Sequence, residues 1–328
     1  MQVYEKETLE MLNKQSIRRS LGMPVIPSDV SPFRYPGGKG KLSKFLALFI
    51  ITNQLQGCKL VEPFCGGAGG TLPLLLTGLV DKLVLNDANP AVSAFWETLK
   101  LNPDALINRV EKEEISINRW HHWREVYFER NNVSQEEKGF SALFLNRTNR
   151  SGMFHAGPIG GRAQLGDYLL NCRFTRSTLI NRIKKIVAVS DKLIVTNKDA
   201  IDAISRLSAN DFIYADPPYV KEGKNIYNAF CFSEVQHQRF ASSLKRKKAH
   251  WLLSYDDHPL VHRFYSKSGI NIIELGYAIN KARVGQELLI ASANLRQPII
   301  ANVSSFDKTT MDNNDVLLHR AEGKIGRA

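Results

Sequence analysis

The sequence predicts an α/β fold built on a doubly wound, mostly parallel sheet. Three observations carry this expectation. Short apolar runs alternate with segments of helical periodicity, one run leads straight into a glycine-rich loop that opens a helix, and a later run leads into a rigid Asp-Pro-Pro-Tyr loop. Strand, glycine loop and helix in that order place a nucleotide-like ligand at the carboxyl edge of a parallel sheet.

The elements follow in order along 328 residues, a length that suits a large core with a smaller insertion. Residues 1–30 read as a charged arm, helical from Glu5 to Leu21 and ended by GMPVIPSD, where Pro24 and Pro27 forbid helix continuation. A glycine turn at Tyr35-Pro-Gly-Gly-Lys39 precedes a helix over LSKFLALFIITNQL, whose apolar residues recur at helical spacing. The strand Lys59–Glu62 enters the loop Pro63-Phe-Cys-Gly-Gly-Ala-Gly-Gly70 and a helix over Thr71–Leu79. A second strand, Lys82–Leu85, ends at Asn86-Asp87 and is followed by a helix through Ala91–Leu99. From 102 to 186 the texture becomes polar, aromatic and basic, and this stretch reads as an inserted helical subdomain. The alternating pattern then resumes with strand Lys192–Thr196, helix Ala200–Leu207, strand Asp211–Ala215 and the loop Asp216–Tyr219. Helix Ser233–Lys245, strand His250–Ser254, helix Pro259–Tyr265 and strands Asn271–Leu275 and Glu287–Ala291 complete it. The core domain is thus expected over 31–101 and 187–302, and the polar residues 303–328 form a flexible tail.

Composition narrows the class. An apolar fraction of 43% and a charged fraction of 23% are those of a globular protein. Cys58, Cys65, Cys172 and Cys231 are scattered without a CxxC pair, which argues against a zinc site or a disulfide framework and fits a reducing cytoplasm. The amino terminus lacks a secretory apolar region, and no apolar run approaches the ~18 residues of a spanning helix. The net charge of +12 favours a polyanionic partner, and half of it lies between Lys100 and Lys185. His121, His122, His155 and His237 lack metal-ligand spacing, so no metal is expected; the basic run Lys245–Lys248 reads as the end of a helix.

Two loops carry chemistry. Around the first, Glu62, Phe64 and Gly66 stand where a cofactor approaches the backbone, and Asp87, at the end of the next strand, is placed to accept hydrogen bonds from ribose hydroxyls. Asp87 could instead simply start the following helix. In the second loop, Asp216, Pro217, Pro218 and Tyr219 suit attack by an exocyclic amino nitrogen, a poor nucleophile because its lone pair is delocalised into the ring. The Asp216 carboxylate and a main-chain carbonyl such as that of Pro217 would favour a more tetrahedral nitrogen and stabilise its developing positive charge. Tyr219 would stack on the base, while the prolines hold the alignment that in-line displacement requires.

Taken together, Ser31-Pro-Phe-Arg-Tyr-Pro-Gly-Gly-Lys39, Leu60-Val-Glu-Pro-Phe64, Leu85-Asn-Asp87, Leu145-Asn-Arg147 with Ser151-Gly152, and Asp216-Pro-Pro-Tyr219 resemble the Dam-type (D12 class) adenine-N6-specific DNA methyltransferases. The resemblance spans Ser31 to Ala293, with the insertion where that family carries its target-recognition subdomain. It implies the class I methyltransferase fold, S-adenosylmethionine as methyl donor without a metal, and double-stranded DNA as substrate, with an activity of the EC 2.1.1.72 type. It places Tyr35, Lys39, Asp87 and Asp199 at the cofactor, Arg34 at DNA, and Asp216 to Tyr219 at an adenine flipped from the duplex. Arg119, Arg124, Arg147, Arg150 and Arg162 of the insertion are the candidates for DNA contact. The implied setting is the cytoplasm of a bacterium or phage-infected cell, beside the nucleoid, as a monomer or weak dimer with a cognate restriction endonuclease as a candidate partner. The sequence departs from the family at Tyr35, where Trp is common, at Pro36, where Ala is common, and in the spacing of its first glycines. Alternatives are the same fold methylating cytosine N4, RNA adenine or protein glutamine, and a non-catalytic DNA-binding module.

Overall fold

In the computed structural model, residues 3–4, 12, 14–34, 39–128, 132–221, 230–278, 282–296 and 298 are described. They form one eight-stranded sheet in the order β1-β7-β8-β6-β5-β2-β3-β4. The strands are β1 (Val3–Tyr4), β2 (Lys59–Glu62), β3 (Lys82–Asn86), β4 (Leu193–Thr196), β5 (Asp211–Ala215), β6 (His250–Asp256), β7 (Gly269–Ala278) and β8 (Ala282–Ala291). All neighbouring pairs are parallel except those of β8, which runs antiparallel to both β6 and β7. The expected doubly wound, mostly parallel sheet is therefore present.

Outward from β2 the chain builds β3 and β4, then returns to lay β5 on the other side of β2 and continues toward β6. The connections after β2 and β5 thus leave the sheet in opposite directions and open a crevice above their carboxyl ends. Both strands are central and covered on two faces, which explains their near-continuous apolar sequences: every residue of β5 is buried.

Helices cover both faces. In chain order they are α1 (Gln15–Ser20), α2 (Ser43–Thr52), α3 (Leu72–Leu76), α4 (Pro90–Leu101), α5 (Pro103–Lys112), α6 (Ile117–Phe128), α7 (Gln135–Thr148), α8 (Arg176–Val187), α9 (Ala200–Ala203), α10 (Glu234–Lys245) and α11 (Pro259–Tyr265). Their starts are written locally. Asn89 accepts from the Ala91 amide ahead of Pro90, and Ser134 with Glu137 and Ser233 with Gln236 form reciprocal capping boxes on α7 and α10.

The period-two alternation of β5 divides the interior. Phe212 and Tyr214 join a core with Phe49, Phe95, Trp96, Trp123, Phe140 and Phe144, while Ile213 and Ala215 join one with Phe240, Leu244, Leu253 and Ile290. At about 1.5–3 kcal/mol for each fully buried large apolar side chain, these two layers dominate stability. Helices of the 102–186 insertion share the first core with the sheet. A Cβ at Gly139 would lie 2.6 Å from the Phe95 amide nitrogen, so α7 meets α4 backbone to backbone.

Several elements differ from expectation. The arm contributes a strand, β1, that pairs Val3 with Ile272 and Tyr4 with Ile273; of its expected helix, Gln15–Ser20 is helical and residues 5–11 and 13 lie outside the described residues. Helix α3 stops at Leu76 rather than Leu79, because Gly78 (φ 70°) closes a C-terminal turn in which the Leu79 amide donates to the Leu74 carbonyl. Helix α9 stops at Ala203 rather than Leu207, where the Ser205 hydroxyl takes the Asp202 carbonyl out of the helical ladder. The expected tail, 303–328, lies outside the described residues. Among the described residues no helix is long and apolar enough to cross a membrane.

Candidate functional site

The crevice holds a cavity of about 850 Å³. Its floor is made by the loops that follow β2, β3 and β5, and its rim by 27–34 and by three pieces of the insertion around Arg147, Met153 and Arg173.

The glycine loop after β2 is fixed by side chains from three directions. Trp96 Nε1 donates to the Gly66 carbonyl at 2.9 Å, Ser31 Oγ to the Gly67 carbonyl at 2.5 Å, and the Gly66 amide donates to Asp87 Oδ2 at 2.9 Å. Gly66 sits at φ 45°, a left-handed conformation that glycine adopts without Cβ strain. Asp87 also accepts from the Asn89 amide at 2.9 Å. Burial pushes its carboxyl up to about 6, against the pull of those two amides. Asn89, not Asp87, caps α4, so the reading of Asp87 as a helix start does not hold. Glu62 accepts a hydrogen bond from Thr71, and burial raises its carboxyl well above the usual range.

Asp216 begins the loop after β5. Ser254 Oγ donates to its Oδ1 at 2.8 Å and is itself in contact with the Tyr214 hydroxyl at 3.0 Å. Lys39 Nζ stands 3.4 Å from the same oxygen and donates to both carboxylate oxygens of Glu287 at 2.9 Å and to the Tyr219 hydroxyl at 2.5 Å. Burial opposes the Lys39 ammonium, but Asp216 and Glu287 outweigh it and hold its pKa above the ordinary lysine value. With Glu62 and Asp87, Asp216 makes the floor of the cavity strongly acidic.

The opposite wall is basic. Arg147 is buried, donates from Nε to the Pro32 carbonyl at 2.5 Å, and has a buried Nη2 without a hydrogen-bond partner; Arg34 Nη1 is likewise buried and unpartnered. Arg182 donates to the Ser31 carbonyl at 2.9 Å, and Arg173 stands at the same rim. Burial lowers the Arg147 guanidinium to about 9, reinforced by the like charges of Arg182 and Arg34. Burial and Arg173 lower Arg34 in the same way. Arginines gathered with buried, open donors suit an anion with several oxygens.

One residue joins this wall to the loop that carries Arg34. The buried Asn146 accepts from the Arg34 amide at 2.6 Å and donates to the carbonyls of Arg34 at 2.7 Å and Gly152 at 2.9 Å. Gly152, at φ 74°, brings its backbone so close that a Cβ would lie 2.1 Å from the Arg34 carbonyl oxygen.

A family model for the D12 class N6 adenine-specific DNA methyltransferases matches residues 35–279. The chain belongs to that family. The methyltransferase also resembles a type II methyltransferase, M1.LlaDCHI of Lactococcus lactis subsp. cremoris, at 21% identity over 266 residues covering 75% of this chain and 88% of the relative. A solved structure, the rRNA methyltransferase aviRa of Streptomyces viridochromogenes, aligns over 86% of this chain and 96% of its own at 13% identity with a TM-score of 0.36, too slight a likeness to add to the sheet topology.

Of the residues expected at the methyltransferase's site, Arg34, Lys39, Glu62, Phe64, Gly66, Asp87, Arg147, Asp216 and Pro218 line the cavity. Pro217 is buried behind them, and Tyr35 lies outside the described residues. Tyr219 is half-buried, with its hydroxyl held by Lys39 and its ring stacked near Tyr255 at 6.2 Å between centroids. Asp199 is exposed, caps α9 through the Ile201 amide at 2.8 Å, and is not among the residues that line the cavity. Arg119 pairs with Glu113 and lies over Trp123, and Arg124 lies over Phe128. Arg150 and Arg162 are exposed.

Sequence reasoning missed Glu287, Ser254, Arg173, Arg182 and Phe232, the last lining the cavity against Phe64 at 5.5 Å between ring centroids. Arg173 and Arg182 carried a signal, since they share the basic insertion with the arginines that were singled out. The role of Glu287 depends on β8 lying beside β6, which no local pattern declares.

Proposed function

We propose that this methyltransferase transfers a methyl group from S-adenosylmethionine to N6 of an adenine turned out of duplex DNA at a specific sequence, by direct in-line displacement. The observation that carries this reading is Asp216, placed at the topological switch point with one oxygen held by Ser254 and a side chain still 19% exposed.

The cavity fits the donor. Carboxyl groups stand at the ends of three adjacent parallel strands: Asp87 and Asp216 match a cationic sulfonium, the buried Glu62 adds a hydrogen-bonding group, and the glycine loop leaves its backbone open to a nucleoside. When bound, S-adenosylmethionine supplies an electrophilic methyl group. Asp87 would take the ribose hydroxyls on the oxygens already oriented by the Gly66 and Asn89 amides. Phe64 and Phe232 would shield the reacting atoms from water.

Asp216 would accept one N6 hydrogen on its free oxygen and the Pro217 carbonyl the other. The nitrogen lone pair then turns from the ring toward the incoming methyl, and the charge developing on N6 meets a carboxylate. Pro217 and Pro218 keep the two acceptors in register. Tyr219, anchored through its hydroxyl, would offer its ring to the base. Arg34, Arg147, Arg173 and Arg182 would hold phosphates beside the extruded nucleotide, offsetting the few kcal/mol that flipping costs.

The test is transfer of radiolabelled methyl from S-adenosylmethionine to unmethylated duplex DNA, followed by nucleoside analysis, with Asp216→Ala alongside. N6-methyladenine formed by the native chain alone supports the reading. Label in cytosine, in RNA or in protein glutamine would overturn the acceptor, and DNA binding without transfer would point to a non-catalytic module.

A further inference from the structure

Lys39, which lines the cavity, is paired with a buried group that the proposed reaction does not use. Glu287 lies on β8, is only 3% exposed, and forms an ion pair with Lys39. Lys39 Nζ reaches both Glu287 oxygens at 2.9 Å but stays 3.4 Å from Asp216. An ammonium within 2.9 Å of both oxygens is the geometry of an ion pair, in which Lys39 favours the Glu287 carboxylate against the burial that raises its pKa. The ammonium is therefore shared unequally, with its shorter contacts spent on Glu287 and on the Tyr219 hydroxyl at 2.5 Å.

Resting on the reading of Asp216 as acceptor for the amino group, we propose that Glu287 is a positioning residue: it draws Lys39 away from Asp216 and so keeps the Asp216 carboxylate available to the adenine amino group. Glu287, Lys39 and Asp216 together carry one net negative charge, which favours the positive charge that passes from sulfonium to N6 during transfer. Without the Glu287 carboxylate, Lys39 has Asp216 as its nearest ionised partner and closes on it. The three charges then fall to zero, and the acceptor is occupied by an ammonium. On this account Lys39 serves the catalytic carboxylate rather than the cofactor. Among the described residues, Ser254, Tyr214, Tyr219, Tyr255 and Glu62 are further polar groups near Asp216, and none of these is a cation that could replace Lys39.

The experiment compares Glu287→Gln, Lys39→Met and the double variant Lys39→Met/Glu287→Leu in single-turnover methyl transfer to unmethylated duplex DNA. Calorimetric binding of S-adenosylmethionine and thermal melts accompany each. Glu287→Gln is expected to lower the transfer rate at least tenfold while cofactor affinity stays within threefold. The double variant, which replaces the ion pair by apolar side chains of similar length, is expected to recover at least part of that loss because nothing then competes for Asp216. A loss concentrated in cofactor affinity would overturn the proposal in favour of direct cofactor binding by Lys39. A double variant slower than both single variants would reduce the pair to scaffolding, and melts falling in step with rates would say the same. If the native chain makes no N6-methyladenine, the proposed reaction fails on its own, before these variants are compared.

Discussion

Asn146→Ala should separate DNA binding from cofactor binding. Asn146 is fully buried and makes three hydrogen bonds, at 2.6, 2.7 and 2.9 Å, that tie Arg34 and Gly152 to helix α7. Truncation leaves one amide and two carbonyls without that partner. A buried polar group left unsatisfied costs about 1–3 kcal/mol, and the half-buried Arg34 backbone can recover part of this from water, so roughly 3–5 kcal/mol is expected. For a chain of this size that is about 4–7 °C in Tm. The functional effect should be uneven. Arg34 and the neighbouring Arg147 lose their fixed spacing, whereas the Gly66–Asp87–Trp96 set on the other side of the cavity keeps every one of its contacts. Fluorescence anisotropy should show DNA affinity falling at least tenfold, with calorimetry showing cofactor affinity within about threefold, at a temperature where the variant is folded. Asn146→Asp should do no better, because it keeps the acceptor for the Arg34 amide but points a carboxylate at two carbonyls. Equal loss of both affinities, or a Tm within about 2 °C of the native chain, would refute the reasoning.

Two further outcomes follow from the two walls. The Asp87 carboxyl, raised to about 6 by burial, is ionised above that pH and protonated below it, so cofactor affinity should fall as pH drops through about 6. Asp87→Asn should weaken binding at neutral pH and flatten that dependence, which calorimetry between pH 5 and 8 checks; an unchanged pH profile would remove Asp87 from the cofactor. On the basic wall, Arg147→Met should weaken DNA binding across unrelated sequences and reduce the slope of log affinity against log salt by roughly one unit, measured by anisotropy at several salt concentrations. An unaltered slope would mean that this buried guanidinium meets no phosphate.

The parts of the fold and site that could be read from sequence were those whose meaning is local. Lys59–Glu62 and Asp211–Ala215 announce themselves as apolar runs because both faces of a central parallel strand are covered. Such runs also place the residues that follow them, Asp87 after Lys82–Asn86 and Asp216 after Asp211–Ala215. Asp87 and Asp199 looked alike in sequence, each an acidic residue just past a strand. Only the structure separates them, through the direction each carboxylate takes: one to the glycine loop, the other to its own helix. Asn146 stands inside the Leu145-Asn-Arg147 motif, but its role is not local: two of its three hydrogen bonds go to Arg34, 112 residues away. Glu287 is 248 residues from Lys39, and its pairing exists because β8 turns back antiparallel between β6 and β7. The arm resisted prediction for a related reason: two residues of strand gain their hydrogen bonds from the distant β7, whatever their local propensity.

The backbone contact between Gly139 and Phe95 bears on how such an enzyme can be altered. A recognition element that could be exchanged as a cassette would need a surface of its own on which to close. Among the described residues the 102–186 stretch packs into the main interior instead: Trp120, Trp123, Phe140 and Phe144 finish the core to which Phe212 and Tyr214 of β5 belong, and Asn146 holds the loop on which Arg34 stands. Transplanting that stretch from a relative would import half a core together with half a cavity wall. On the proposed reading, new sequence preference in this scaffold is to be sought in single exposed side chains, such as Arg150, Arg162 and Tyr168, which can change without reopening the interior.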